Sequence, residues 1–97
     1  MRIIAKTALR NFWARHPDAE QPLRAWHSET KRAAWKTPAD VKLQFRSASI
    51  LRGERAVFNI GGNKYRLVVK INYSFGVVYI RFIGTHRDYD RIDAETI

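Results

Sequence analysis

The sequence predicts an α+β domain in which an N-terminal strand and two to three helices pack on one face of a small antiparallel β-meander. Residues 7–45 carry apolar side chains at helical spacing, whereas apolar residues alternate with a period of two over residues 55–83. Glycines divide that second stretch into three strands. With 97 residues the chain can bury one hydrophobic core, so we expect a single domain over residues 1–97.

The N-terminal part is predicted to hold one strand and a first helix. Ile3 and Ile4 are β-branched, which favours a strand over residues 1–5. Thr7 can cap the helix that follows, and Pro17 is expected to end it because proline cannot continue a helix.

Two further helices are predicted before the sheet. Asp18 and Gln21 have the spacing of a capping box, so a second helix is expected from residue 18 or 21 to Trp35. Thr37 followed by a proline indicates the start of a short helix over residues 38–45.

The helical segments also predict which side chains are buried. Tryptophans 13, 26 and 35 fall at core spacing within the predicted helices, so we expect them in the core rather than stacked on bases. Four basic residues lie off the apolar stripe of the second helix, and such a cluster usually forms a solvated face. A nucleic-acid contact is the less favoured alternative for this cluster: Arg24, His27, Lys31 and Arg32.

The second half is predicted to form the meander. Residues 46–54 are polar and indicate a loop. Gly61 and Gly62 suit a tight hairpin turn, residues 73–76 suit a second turn, and Gly84 is expected to end the last strand. The strands are expected at residues 55–60, 64–72 and 77–83, and the tail from Thr85 is expected to be loop with at most one helical turn.

Strand alternation predicts which face each side chain occupies. The apolar sets should cover the helices, and they are Tyr65, Leu67, Val69 and Ile71 on one strand and Val78, Ile80 and Phe82 on the next. The opposite face should be open and should carry three cations and a ring, namely Arg66, Lys70, Arg81 and Tyr79. Such a surface is suited to nucleic acid.

The charge supports a polyanionic partner. The net charge is +9, and 12 arginines against 6 lysines favour phosphate contacts because guanidinium binds phosphate bidentately. The absence of cysteine excludes disulfides and thiolate metal sites. No apolar run is long enough to cross a bilayer or to serve as a secretory signal, so we expect a soluble cytoplasmic protein with no membrane association.

Two motifs carry a resemblance to a known family. VFNIGGNKYRLVVKINY, followed by VVYIRFIGTHRDYDRI, resembles the HigB branch of the RelE-like toxins of bacterial type II toxin-antitoxin systems, over about residues 35–92. The resemblance implies a RelE-like fold and a metal-independent endoribonuclease, an mRNA interferase that cuts mRNA engaged on the ribosome. It also implies attack of a ribose 2′-OH on the adjacent phosphate, and neutralisation by a helix-turn-helix antitoxin of the HigA type.

The resemblance also implies site residues. Arg66 matches the central-strand arginine that grips the scissile phosphate, and His86 occupies the position of a catalytic arginine of RelE. Tyr89 resembles the C-terminal tyrosine of the family, and the general base is left unassigned. Besides these three catalytic candidates, the residues expected to bind RNA are Lys64, Lys70, Tyr79, Arg81 and Arg87.

Other functions compete with this hypothesis. His86, Asp88 and Asp90 alternate, but the arginines between them make a poor cation site, so we expect no metal and no small-molecule cofactor. A non-catalytic module that binds RNA or the ribosome through the same basic face is the main alternative, and a domain that binds an acidic protein is the third. Only catalysis requires His86 and Tyr89.

Overall fold

The computed structural model describes the whole chain, Met1–Ile97, as four α-helices and a five-stranded sheet. None of the helices is long and apolar enough to span a membrane. The α+β class and the helices packed on a meander are confirmed. In chain order the elements are β1 (Arg2–Ile4), α1 (Lys6–Arg15), a 3₁₀ turn (Pro17–Ala19), α2 (Glu20–Arg32), α3 (Pro38–Gln44), β2 (Ser49–Leu51), β3 (Arg55–Ile60), β4 (Tyr65–Asn72), β5 (Val77–Thr85) and α4 (His86–Tyr89).

The sheet extends the predicted meander at both edges. Its order is β1-β5-β4-β3-β2, with β3, β4 and β5 antiparallel as predicted and β1 parallel to β5. Gly61 and Gly62 have positive φ angles of 64° and 70° and form the β3–β4 turn. The prediction of a loop over residues 46–54 is wrong for Ser49–Leu51, because these residues form β2 and pair with β3. Gly84 does not end β5, which continues to Thr85.

The helix starts differ from the predicted caps. α1 begins at Lys6 without a side-chain cap, so the prediction for Thr7 is wrong. Asp18 lies in the 3₁₀ turn and does not cap α2, because its carboxylate accepts hydrogen bonds from the β3–β4 hairpin instead. α2 ends at Arg32, which leaves Trp35 in a connecting segment. The α3 prediction is confirmed, with a capping box formed by Thr37 and Asp40.

The main core lies between the helices and one face of the sheet. Trp26 and Trp35 are 2% and 3% exposed, so their predicted core position is confirmed although Trp35 is not helical. Both indoles pack on Phe58 of β3, with ring centroids 5.4 Å and 6.3 Å away. This packing fixes the helices on the sheet and leaves its second face to the C-terminal residues.

A β-bulge changes the face assignment on β5. Val68 pairs with Phe82, whereas the next residue of β4, Val69, pairs with Ile80, so Arg81 has no partner in the register. The extra residue reverses the alternation beyond it. Phe82 therefore packs on the second face with Val68, and its predicted position against the helices is wrong.

The second face of the sheet is partly covered rather than open. The C-terminal segment, residues 90–97, places Ile92, Ala94 and Ile97 in an apolar cluster with Val57 and Val68. Apolar side chains of the segment thus replace water over the centre of the sheet. The prediction of an open cationic face is therefore wrong for the centre of the sheet.

Candidate active site

Arg66 of β4 is a buried cation that has no acidic partner. Its side chain lies on the second face of the sheet, and the residue is only 9% exposed. Nη2 donates to Asn63 Oδ1 at 2.7 Å, and Nη1 donates to the carbonyl oxygens of Asn63 and Tyr65 at 3.2 Å and 3.3 Å. All three acceptors are neutral, so the positive charge is positioned but not compensated. An anion such as phosphate would complete this environment.

The strand register brings His86 to the same end of the sheet. Gly84 lies opposite Arg66 and Thr85 lies opposite Tyr65, so His86 follows two residues after the partner of Arg66. The backbone N–H of His86 donates to the carbonyl oxygen of Lys64 at 3.2 Å. This bond ties the start of α4 to the β3–β4 hairpin that also positions Arg66.

Asp90 is the acidic neighbour of the His86 imidazole. Asp90 Oδ2 lies 3.4 Å from His86 Nδ1, and both side chains are more than half exposed. The backbone of the two residues is also linked, because the N–H of Asp90 donates to the carbonyl oxygen of His86 at 3.1 Å. A carboxylate on this side of the ring can accept a hydrogen bond from Nδ1–H, and Nε2 is then the acceptor of the ring. Sequence reasoning considered Asp90 only as a metal ligand, although the i, i+4 spacing could have indicated this pair.

Asp18 links the 3₁₀ turn to the same hairpin. Its carboxylate accepts hydrogen bonds from Lys64 Nζ at 2.6 Å and from the Tyr65 hydroxyl at 2.5 Å. The Lys64 ammonium and then the Tyr65 hydroxyl hold the pKa of Asp18 below its usual range. In return the bond to Asp18 raises the pKa of Lys64 and that of Tyr65. These residues are distant in sequence, so no local pattern could have found Asp18.

Gly84 provides the space that the site requires. A Cβ atom at this position would lie 2.5 Å from Cζ of Phe82 and 3.2 Å from Cβ of Asp88. The first distance is far below van der Waals contact, so any side chain here would displace the Phe82 ring or α4. Thr85 caps the short helix by accepting the N–H of Asp88 at 3.1 Å. Gly84 and the Thr85 cap together keep α4 close to the sheet.

The remaining predicted residues divide into two groups. Tyr89 packs its half-buried ring in the apolar cluster with Val68, and Arg87 is exposed on α4 beside His86. Lys70 and Tyr79 are paired in register four residues further along β4, roughly 13 Å from Arg66. Arg81 is exposed at the bulge and lies 5.8 Å from the Tyr79 ring. The backbone places Lys64, Arg66, His86, Arg87 and Tyr89 at one end of the sheet, with the Lys64 ammonium turned to Asp18, and it leaves Lys70, Tyr79 and Arg81 at a distance.

Comparison with known proteins identifies the family. Residues 19–92 match the HigB_toxin family, described as the RelE-like toxic component of a toxin-antitoxin system. The chain belongs to this family. The resemblance to HigB toxins is thereby confirmed, and the α+β architecture is consistent with a RelE-like fold.

Similar proteins cover nearly the full chain. The mRNA interferase toxin HigB of Escherichia coli K12 is 29% identical over 92 residues, which span 93% of this chain and 88% of that protein. The mRNA interferase HigB of Shigella flexneri has the same identity and coverage. A second mRNA interferase HigB, from Escherichia coli O6:H1, is 23% identical over 94 residues, or 95% of this chain and 91% of that protein.

The HigB family match includes the candidate active site. It spans β4, β5 and α4, and thus Arg66, His86 and Asp90. It begins one residue after Asp18, so the residue that holds Lys64 lies just outside the matched region.

Proposed function

We propose that this member of the HigB family is an endoribonuclease that cuts mRNA engaged on the ribosome without a metal ion. The observation that carries the proposal is the uncompensated guanidinium of Arg66, which is 9% exposed and bonded only to neutral oxygens. A pre-positioned cation of this kind suits the extra negative charge of a pentacovalent phosphorane. The names of the similar proteins, mRNA interferases, support RNA as the substrate.

The reaction breaks one bond of the RNA backbone and forms another. The 2′-oxygen of a ribose attacks the adjacent phosphorus, the bond from phosphorus to the 5′-oxygen breaks, and the products are a 2′,3′-cyclic phosphate and a 5′-hydroxyl. The 2′-OH proton must be accepted by a base, and the leaving oxygen must receive a proton from an acid. No redox partner or cofactor is needed for this balance.

His86 carries one of the two proton transfers in this mechanism. Its side chain is about half exposed, and the Asp90 carboxylate at Nδ1 leaves Nε2 available to RNA. Lys64 and Tyr89 are the candidate partners for the other transfer. The Lys64 carbonyl accepts the His86 N–H while its ammonium is held by Asp18, so Lys64 could act only as an acid, released from that pair; Tyr89 belongs to the same short helix as His86.

The partner proposed for this toxin is an antitoxin of the HigA type with a helix-turn-helix fold. The family description, the toxic component of a toxin-antitoxin system, supports an antitoxin in general. The net charge of +9 favours an acidic contact surface on that partner. Co-expression should restore growth, and the two proteins should purify together.

The proposed function is tested by expression of the parent and of His86→Ala. The parent should arrest growth and produce mRNA fragments with 5′-hydroxyl ends within codons, and purified protein should cut ribosome-bound mRNA in the presence of a chelator. His86→Ala should lower the cleavage rate by roughly 10²–10⁴. RNA binding without 5′-hydroxyl ends from the parent would instead support the non-catalytic binding module.

A further inference from the structure

A cleft on the helical side of the protein is lined by cations. Met1, Arg2 and Ile3 of the first strand region form one wall, Lys6 begins the second, and His27 and Lys31 of α2 form the third. The cleft has a volume of about 270 Å³ and opens to solvent. None of these elements is part of the Arg66 site, because β1 borders the start of β5 whereas His86 follows its end.

Helical geometry places the cations of each helix one turn apart. Lys6 and Arg10 are separated by one turn of α1, and His27 and Lys31 by one turn of α2. Residues one turn apart are neighbours on a helix surface, about 5–6 Å from each other. The basic cleft, defined here as Arg2, Lys6, His27 and Lys31, is thus lined by β1 and by both helices. Arg10 flanks it one turn beyond Lys6 on α1, close enough for its charge to act on His27.

The basic cleft lacks acidic partners. Residues 1–17 contain no Asp or Glu, and the protein's ion pairs lie elsewhere, between Glu20 and Arg24, Asp18 and Lys64, and Asp90 and His86. The sequence predicts a solvated face from the basic residues of α2 alone. The structure adds cations from α1 and β1 to that surface. Mutual repulsion of these groups in a small domain is relieved only by an external anion or by solvent.

His27 at the side of the basic cleft responds to this electrostatic environment. The imidazole is half-buried, and burial is the first cause of a pKa below its usual range. The charges of Lys6, Lys31 and Arg10 lower the pKa further. A bound anion would offset these charges and favour the protonated imidazole, which could then donate a hydrogen bond to it.

We propose that the basic cleft is a second anion site, which binds phosphate groups of a folded RNA backbone separately from the Arg66 site. RNA is favoured over an acidic protein because the cleft offers charged donors rather than the buried aromatic and apolar anchors of protein interfaces. The proposal goes beyond the proposed function, from which it takes only RNA as the polyanion.

The test measures binding to an RNA that cannot be cut. A 2′-O-methyl RNA hairpin lacks the attacking hydroxyl, and its affinity for the parent and for the triple variant Lys6→Gln, Arg10→Gln, Lys31→Gln can be measured by fluorescence anisotropy across a series of salt concentrations. The triple variant should bind at least tenfold more weakly. The slope of log affinity against log salt should fall by roughly 0.7–0.9 for each phosphate that the variant no longer neutralises.

A matched control removes the same charge elsewhere. Lys36, Arg46 and Arg52 are exposed and lie outside the cleft, so their triple Gln variant has the same net charge as the cleft variant. It should keep most of the affinity and nearly the parent salt slope. Equal weakening in the two variants would show that net charge alone attracts RNA, and the proposed site would be rejected.

Two further readouts complete the test. Saturation with the hairpin should raise the pKa of His27, measured by NMR titration of the imidazole, and an unchanged value would contradict a phosphate in the cleft. Polyglutamate that binds the cleft more tightly than the hairpin would overturn the choice of RNA and indicate an acidic protein. Because the hairpin cannot be cleaved, these results are independent of whether Arg66 and His86 catalyse a reaction.

Discussion

Replacement of Arg66 by methionine should separate activity from stability. The parent buries a guanidinium to 9% exposure without a carboxylate partner, and a buried ion without a counter-charge costs free energy that methionine of similar length does not. The three hydrogen bonds to neutral oxygens offset part of this cost. We therefore expect the free energy of unfolding to stay unchanged or to rise by up to about 2 kcal/mol.

The same substitution should nearly abolish cleavage. Removal of one pre-positioned donor to a transition-state oxyanion costs about 2.7–4 kcal/mol, or roughly 10²–10³ in rate. Single-turnover cleavage of mRNA on programmed ribosomes measures the rate, and urea denaturation measures the stability. Arg46→Met, which removes one charge from an exposed residue, is the control and should leave both unchanged. Cleavage by Arg66→Met within about threefold of the parent would refute the role of Arg66, and a decrease in stability would refute the uncompensated-charge argument.

Three other substitutions test the support of the site. Asp90→Asn should shift neutral His86 from the Nδ1–H to the Nε2–H tautomer, which ¹⁵N NMR can detect. It should slow cleavage by less than the ~10²–10⁴ expected for removal of His86. An unchanged tautomer would contradict the interaction between Asp90 and His86. Asp18→Asn should destabilise the fold near neutrality, because Lys64 lowers the pKa of Asp18 in the folded protein. This stabilisation is present above about pH 4, the pKa of an unfolded Asp, and is lost as the pH falls through the lower pKa of the folded state. The denaturation curves of parent and variant should therefore converge in acid. Gly84→Ala should lower the free energy of unfolding by about 1–3 kcal/mol in urea denaturation, because its Cβ would lie 2.5 Å from a ring atom, and full stability would show that the ring moves freely.

Local sequence patterns predict a secondary-structure element correctly where the residues that determine it are close together in the sequence. The paired glycines of the β3–β4 turn, the proline and Thr37 cap of α3 and the period-two strands predicted elements that the structure confirms. Trp35 lies in the core, as its spacing predicts, but it follows the end of α2 instead of belonging to that helix. The burial of a residue can thus be predicted correctly even where the end of its helix is not.

The errors have a common physical origin in contacts between distant segments. A bulge inserts one residue at Arg81 and reverses the faces beyond it, and nothing in the alternating sequence of β5 marks that insertion. Asp18 reads as a helix cap because capping is local, yet it is recruited by Lys64, which is 46 residues away. The C-terminal segment reads as a polar loop because its few apolar residues form a pattern only when they lie on Val68.

These long-range contacts also alter the argument about RNA. An open sheet with several equivalent cations would bind phosphate along its length, and removal of any one cation would have a small effect. The C-terminal segment instead covers the centre of the sheet. Arg66 is therefore mostly buried near the β3–β4 turn, whereas Arg81 is exposed at the bulge. The two arginines should therefore behave differently: substitution of Arg81 should weaken binding and its salt dependence, whereas substitution of Arg66 should act on the rate of the chemical step. Equal effects of the two substitutions on binding alone would favour the non-catalytic module over the enzyme.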